Sequence, residues 1–148
     1  MTMTTPFIWT DQFLLGYAPM DDTHREFVDT VAAMLEGTDA DFASCLDAFI
    51  RHAEAHFEDE RKWMEETGFP AMQCHVDEHG AVMKSVYEVR DMLAAGGDVE
   101  VGRGLARELM NWFPGHADYM DASLAQWMAK KRLGGTPVVL RRGVASAE

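Results

Sequence analysis

The sequence predicts an all-α fold: an up-down-up-down antiparallel four-helix bundle with an ordered N-terminal arm and a short C-terminal extension. Two observations carry this expectation. Apolar residues recur at alternating spacings of three and four along four long segments, the repeat of one buried face of an α-helix. The breaks between segments fall at Gly37, at Gly68-Phe69-Pro70 and at Gly96-Gly97, and such short connections make successive helices antiparallel neighbours.

The arm comes first. Pro6, Gly16 and Pro19 alternate with Phe7, Trp9, Phe13 and Tyr17, a pattern of turns and aromatic anchors that should pack on the bundle. A first helix is expected over about 21–37, capped by Asp21 or Asp22, with His24, Phe27, Val28, Val31, Met34 and Leu35 on one face. A second should start at Thr38 or Asp39 and carry Phe42, Leu46, Phe49, Ile50, Ala53, His56, Phe57, Glu60, Trp63 and Met64 as far as Gly68. The third carries Met72, His75, Val76, His79, Val82, Met83, Val86 and Leu93, and stops at Gly96-Gly97. In the fourth, Val101, Leu105, Leu109, Trp112, Phe113, His116, Met120, Leu124 and Trp127 continue the stripe. Pro114-Gly115 interrupts it, and a kink is expected there because proline lacks the helical donor and crowds the carbonyl four residues back. Residues 1–133 read as one domain; the tail 134–148, with Val138-Val139-Leu140 and Arg141-Arg142, has no helical period and reads as a loosely held extension.

Composition narrows the class of partner. A chain of 148 residues suffices for one real core, since domains of this size bury roughly 70% of the surface an unfolded chain exposes. The formal charge of -12 argues against nucleic acid and against anionic membrane, both of which attract a positive surface. No apolar run approaches the ~20 residues that span a bilayer, and the first ten residues carry neither a basic region nor a long apolar stretch, so a cytoplasmic protein is expected. A monomer is the expected state. Cys45 and Cys74 lack CxxC spacing and read as free thiols, and the eleven methionines, scattered at helical spacing, read as core filler.

The apolar stripes contain residues that do not belong in an apolar core. His24 lies on the first helix, His56 and Glu60 on the second, His75 and His79 on the third, and His116 and Asp121 on the fourth. Burying the two carboxylates with no lysine or arginine on those stripes is unfavourable unless they protonate or meet a cation. A metal supplies one. His56 and Glu60, and likewise His75 and His79, are four apart and therefore neighbours on one helical face. Imidazole with carboxylate and no thiolate suits iron, manganese or zinc, and seven candidate ligands are too many for one ion, so two ions are implied.

From Trp9 to about Leu133 the chain resembles the hemerythrin family. The resemblance rests on Trp9, Gly16, Met20-Asp21-Asp22-Thr23-His24, His56-Phe57-Glu58-Asp59-Glu60, His75-Val76-Asp77-Glu78-His79 and His116-Ala117-Asp118-Tyr119-Met120-Asp121. It implies two iron ions per chain with an oxo or hydroxo bridge. His75, His79 and His116 would hold one iron and His24 and His56 the other, with Glu60 and Asp121 bridging. Each histidine supplies one bond, each carboxylate two and the oxygen bridge two, so two six-coordinate irons are left one position short, on the iron with two histidines. Dioxygen would bind there, as the small-molecule partner. Phe113 and Ala117 would border that position, and Ala117 stands where hemerythrins commonly have a larger aliphatic residue, which implies a roomier pocket.

Reversible dioxygen binding, for storage, delivery or sensing, is the leading expectation. A site dominated by histidine stabilises oxidised iron less than the glutamate-rich sites of di-iron carboxylate proteins do. Two alternatives stay open: a di-iron enzyme that consumes peroxide, dioxygen or nitric oxide at the same position, and a metal- or oxygen-gated signalling or interaction module. His52, one turn from His56, reads as a solvated or outer histidine, with a proton donor as the functional alternative. Cys74, beside His75, should point away from the metals, since adjacent helical positions face about 100° apart.

Overall fold

The computed structural model describes residues 6–134 and Val139, so all of the tail from Gly135 onward except Val139 lies outside the described residues. The helices are α1 (Ala18–Glu36), α2 (Phe42–Thr67), α3 (Met72–Ala94), α4 (Val99–His116) and α5 (Ala122–Leu133), with a π-helical turn (Ala117–Asp121) joining the last two. Helices α1 and α3 each pack against both α2 and α4, which closes the four long segments into a ring around a shared interior. The expected four-helix bundle is the observed fold. Among the described residues, no helix is long and apolar enough to cross a membrane.

Local chemistry explains where the elements begin and end. Helix α1 starts three residues before the expected cap, because Pro19 fits the first turn, whose donors have no helical partner in any case. Asp21 therefore does not cap the helix. It is buried inside the first turn, where its carboxylate accepts from the backbone N–H of Leu15 at 2.8 Å and of Gly16 at 3.1 Å, tying the arm down. Thr38 closes a turn by accepting from the N–H of Asp41, so α2 begins at Phe42 rather than at Asp39. Gly68, at φ 70°, ends α2 in the left-handed region that glycine adopts without strain, and Asp98 caps α4 by accepting from the N–H of Glu100.

The fourth segment is irregular close to the expected break. Helical structure runs through Pro114, and the irregularity falls just after it, in the π turn at 117–121. The N–H of Ala117 is shared between the carbonyls of Phe113 and Pro114, so hydrogen bonding is taken up again immediately beyond the proline. This turn decides where two polar side chains face. His116 and Asp121 are five apart, which on a regular α-helix sets them about 140° apart. Wider winding returns them to one face.

The core has two apolar halves with a polar layer between them. One half gathers Phe27, Phe49, Ala53, Phe57, Leu109, Phe113 and Ala117; the other gathers Tyr17, Met20, Met64, Leu124 and Met128. The layer follows from register, because His24 lies between Met20 and Phe27, Glu60 between Phe57 and Met64, and Asp121 between Ala117 and Leu124. Met20, Met34, Met64 and Met128 are fully buried and fill the core as expected, whereas Met92 is exposed. The arm packs as expected: Phe7 and Phe13 meet Phe113 edge-on, and Tyr17 meets Trp63.

At the other end of the bundle α4 comes very close to α2. A Cβ at Gly102 would stand 2.3 Å from the ring of Phe42. Next to it, the Arg103 guanidinium donates to the carbonyls of Met34 and Gly37 and pairs with Asp39, satisfying carbonyls at the end of α1. Gly104, two residues on, has only the end of Arg107 near it, at 3.9 Å. Gly102→Ala should therefore lose about 1 to 3 kcal/mol through overpacking, whereas Gly104→Ala should gain about 0.5 to 1 kcal/mol from helix propensity. Urea unfolding of the two variants checks this, and equal effects would mean that α4 does not approach Phe42 as described.

Candidate metal centre

Every helix of the ring contributes to the polar layer. His24 comes from α1, His56 and Glu60 from α2, His75 and His79 from α3, His116 from the end of α4 and Asp121 from the end of the π turn. All seven predicted ligands are buried, with His24 and Glu60 fully so. The structure brings them into two groups that share a member: Glu60, His75, His79, His116 and Asp121 on one side, and His24, His56 and Glu60 on the other, with the donor atoms of each group within 4.8 Å of one another.

The carboxylates join the two sides. Glu60 turns Oε1 toward Nε2 of His75 at 3.1 Å and of His79 at 3.7 Å, while its Oε2 faces Nε2 of His56 at 2.6 Å and of His24 at 3.9 Å. Asp121 does the same: Oδ1 lies 2.9 Å from His75 and 3.1 Å from His116, and Oδ2 lies 3.0 Å from His24. Each carboxylate thus gives one oxygen to the three-histidine side and the other to the two-histidine side.

Such a donor set calls for cations. Among the described residues, the ion-pair partners of Glu60 and Asp121 are all imidazoles. Nε2 of His24 and of His75, Oε1 of Glu60 and Oδ1 of Asp121 are buried with no aligned hydrogen-bond partner, although they crowd together. Nε2 of His79 faces Nε2 of His116 at 3.1 Å, which sets two nitrogen acceptors against each other unless one carries a proton or a cation lies beside them. Metal ions would meet all of these demands at once, so the residues fit a metal pair.

Without metal, protons must serve instead. Burial pushes the His24 and His75 imidazoles down, but Asp121 and Glu60 overcome it and raise them to about 10 and about 9. Burial pushes His79 down to about 3, so this ring is neutral, whereas His116 is raised against its burial by Asp121 and Glu78. Burial also opposes ionisation of Glu60 and Asp121, yet the surrounding imidazoles hold both well below the usual carboxylate range.

The other predicted positions are also accounted for. Phe113 stacks on Phe27 and lies edge-on to His24 with ring centroids 5.2 Å apart, and Ala117 is buried in the same apolar half. His52 packs against the His56 ring, its Nδ1 is 3.3 Å from exposed Glu26, and burial lowers its pKa. Cys74 is exposed, as its helical angle from His75 predicts, and Cys45 is a free thiol. Sequence reasoning missed Glu78, whose carboxylate binds Nδ1 of His116 across α3 and α4. Its place beside His79 was visible, but the partner lies 38 residues away. The ring stack of Phe57 on His79 was missed for the same reason, whereas Trp112 stacks on His116 one turn along the same helix, a spacing the sequence did show.

Comparison with known proteins agrees with this geometry. Residues 15–128 match the hemerythrin HHE cation binding domain. Bacteriohemerythrin of Ralstonia nicotianae is 42% identical over 123 residues, covering 83% of this chain and 89% of that protein. Myohemerythrin of Riftia pachyptila is 27% identical over 55% of this chain and 67% of its own length. Crystal structures of hemerythrin variants with a single leucine replaced share the fold. The leucine-to-alanine variant has a TM-score of 0.76 at 22% identity and covers 87% of this chain and 99% of its own. Because the domain match spans most of the chain and the bacteriohemerythrin agrees over nearly the same length, the chain belongs to the hemerythrin family.

Proposed function

We propose that the chain binds dioxygen reversibly at a non-haem di-iron centre, as a binding protein rather than an enzyme. The observation that carries this reading is the division of oxygens in Glu60 and Asp121, one toward each group of histidines, which is the disposition of two carboxylates that bridge a metal pair. In this reading His75, His79 and His116 would hold one iron and His24 and His56 the other, with Glu60 and Asp121 supplying an oxygen to each. When bound, the iron pair would supply the two electrons that reversible dioxygen binding draws on. The chain's own residues hold that pair, neutralise its charge with two carboxylates, and keep bulk water out with an apolar half on either side. Phe27, Phe113 and Ala117, in the apolar half that meets His24 through Phe113, carry no side-chain hydrogen-bond donor to offer a small apolar ligand.

Wild-type protein should take up about two irons per chain, and Glu60→Ala should lose or weaken both together, since it removes a donor from each side. Metal analysis checks the stoichiometry, and the visible spectrum of reduced, iron-loaded protein exposed to air checks the ligand. One zinc per chain, unaffected by this change, would exclude the di-iron reading.

The two states of the protein should also differ in how they respond to pH. In metal-free protein, His24 and His75 are raised to about 10 and about 9 from an unfolded value of about 6.5. Their contribution is therefore complete below that value and is lost as pH rises through 9 and 10. Metal binding displaces those protons, so the loaded protein should gain on the metal-free one over the same rise. Thermal melts of both forms between neutral pH and pH 9 test this, and parallel curves would contradict it.

Ala117→Ile should slow the loss of the air-induced absorbance by narrowing access beside the two-histidine iron, provided the added carbons avoid the ~1 to 3 kcal/mol of overpacking strain. Decay is compared with wild type at equal iron content. An unchanged rate in a folded variant would show that Ala117 does not govern access.

A further inference from the structure

We propose that Glu78 is a positioning residue for the three-histidine side of the centre: it fixes the tautomer of His116 and strengthens its Nε2 as a metal donor. This inference rests on the di-iron reading above. Glu78 Oε2 lies 2.5 Å from Nδ1 of His116, and Nε2 of the same ring faces the cluster, 3.1 Å from Asp121. A ring that donates Nδ1–H to a carboxylate must present Nε2 as a lone pair, and the neighbouring negative charge makes that lone pair a stronger donor.

Three of the other four predicted histidine ligands lack such a contact. Nδ1 of His24, of His56 and of His79 is buried with no hydrogen-bond partner. The two predicted irons would therefore differ in electronic character as well as in histidine count, and the carboxylate-backed imidazole belongs to the side with three histidines. Placement follows from helix geometry: Glu78 precedes His79 on α3, so it faces about 100° away from that ligand, toward α4 and His116. Its side chain is 36% exposed where His116 is 2%, and it borders an open groove with Val82, Leu109 and Trp112, so its charge is not stranded in the core. Trp112 stacks on the His116 ring at 4.3 Å and 23°, which holds the face of the ring while Glu78 holds its edge.

Removing the charge should favour the reduced state of the pair, because an imidazole with less negative character stabilises ferric iron less. The test compares iron-loaded wild type, Glu78→Gln and Glu78→Ala. The amide oxygen of glutamine still accepts from Nδ1–H, so Glu78→Gln should hold its iron nearly as well as wild type while its reduction midpoint moves positive. Glu78→Ala, which loses the acceptor as well, should release iron to a chelator with an apparent affinity about 10- to 100-fold lower. In zinc-loaded protein, the exchangeable imidazole proton furthest downfield in the NMR spectrum should move upfield in Glu78→Gln and vanish in Glu78→Ala. A midpoint and a downfield proton unchanged in Glu78→Gln at full iron content would overturn the proposal, even if Glu78→Ala fails to fold. A wild type that takes up no iron pair would overturn the di-iron reading itself, before any variant is compared.

Discussion

Two carboxylates buried among five imidazoles, with imidazoles as their ion-pair partners among the described residues, form the constraint around which this bundle is organised. Isolated, each such charge in a core is strongly unfavourable, and removing the partner of a buried charge typically costs about 3 to 5 kcal/mol. The cluster therefore has to be complete to be tolerated. Completion requires donors from all four segments of the ring, which ties the register of each helix to that of the others through one shared layer. The apolar halves above and below could pack in several neighbouring registers by hydrophobicity alone; a polar layer that must meet in the middle selects one.

Backbone form follows from the same demand. On α2 and α3 the pairs His56 with Glu60 and His75 with His79 are reached by ordinary helical spacing, and both helices are regular through the site. The fourth segment carries its two donors five residues apart, and there the chain widens into a π turn between them. Pro114 lies one turn ahead of this turn, where a missing backbone donor already loosens the hydrogen-bond ladder. Irregularity at a site that binds a ligand is a common use of a π turn, and here its role is geometric: it turns Asp121 toward both groups of histidines.

The surroundings of the imidazoles differ from ring to ring, and that difference bears on function. His116 is held by Glu78 at its edge and Trp112 on its face, His79 lies under Phe57, and His24 meets the apolar edge of Phe113. Polar support thus gathers on the three-histidine side, while an aromatic wall stands beside His24.

The sequence by itself determined the bundle, its breaks at Gly37, Gly68 and Gly96-Gly97, and the identity of seven of the eight buried polar residues among those described, all but Asp21. Helical periodicity is local, and a carboxylate on an apolar stripe stands out without knowledge of what faces it. Helix starts were less legible: Asp21 looked like a cap but serves the arm, because a carboxylate's partner is settled by where the preceding chain folds back. Only the tertiary structure decided that Pro114 is passed and the π turn follows it, since the fourth segment is wound to suit donors on the other three helices. It alone showed which oxygen of each carboxylate faces which histidines and that Glu78 reaches His116. Those of these contacts that cross between helices link residues distant in sequence, and their geometry exists only once the helices have packed.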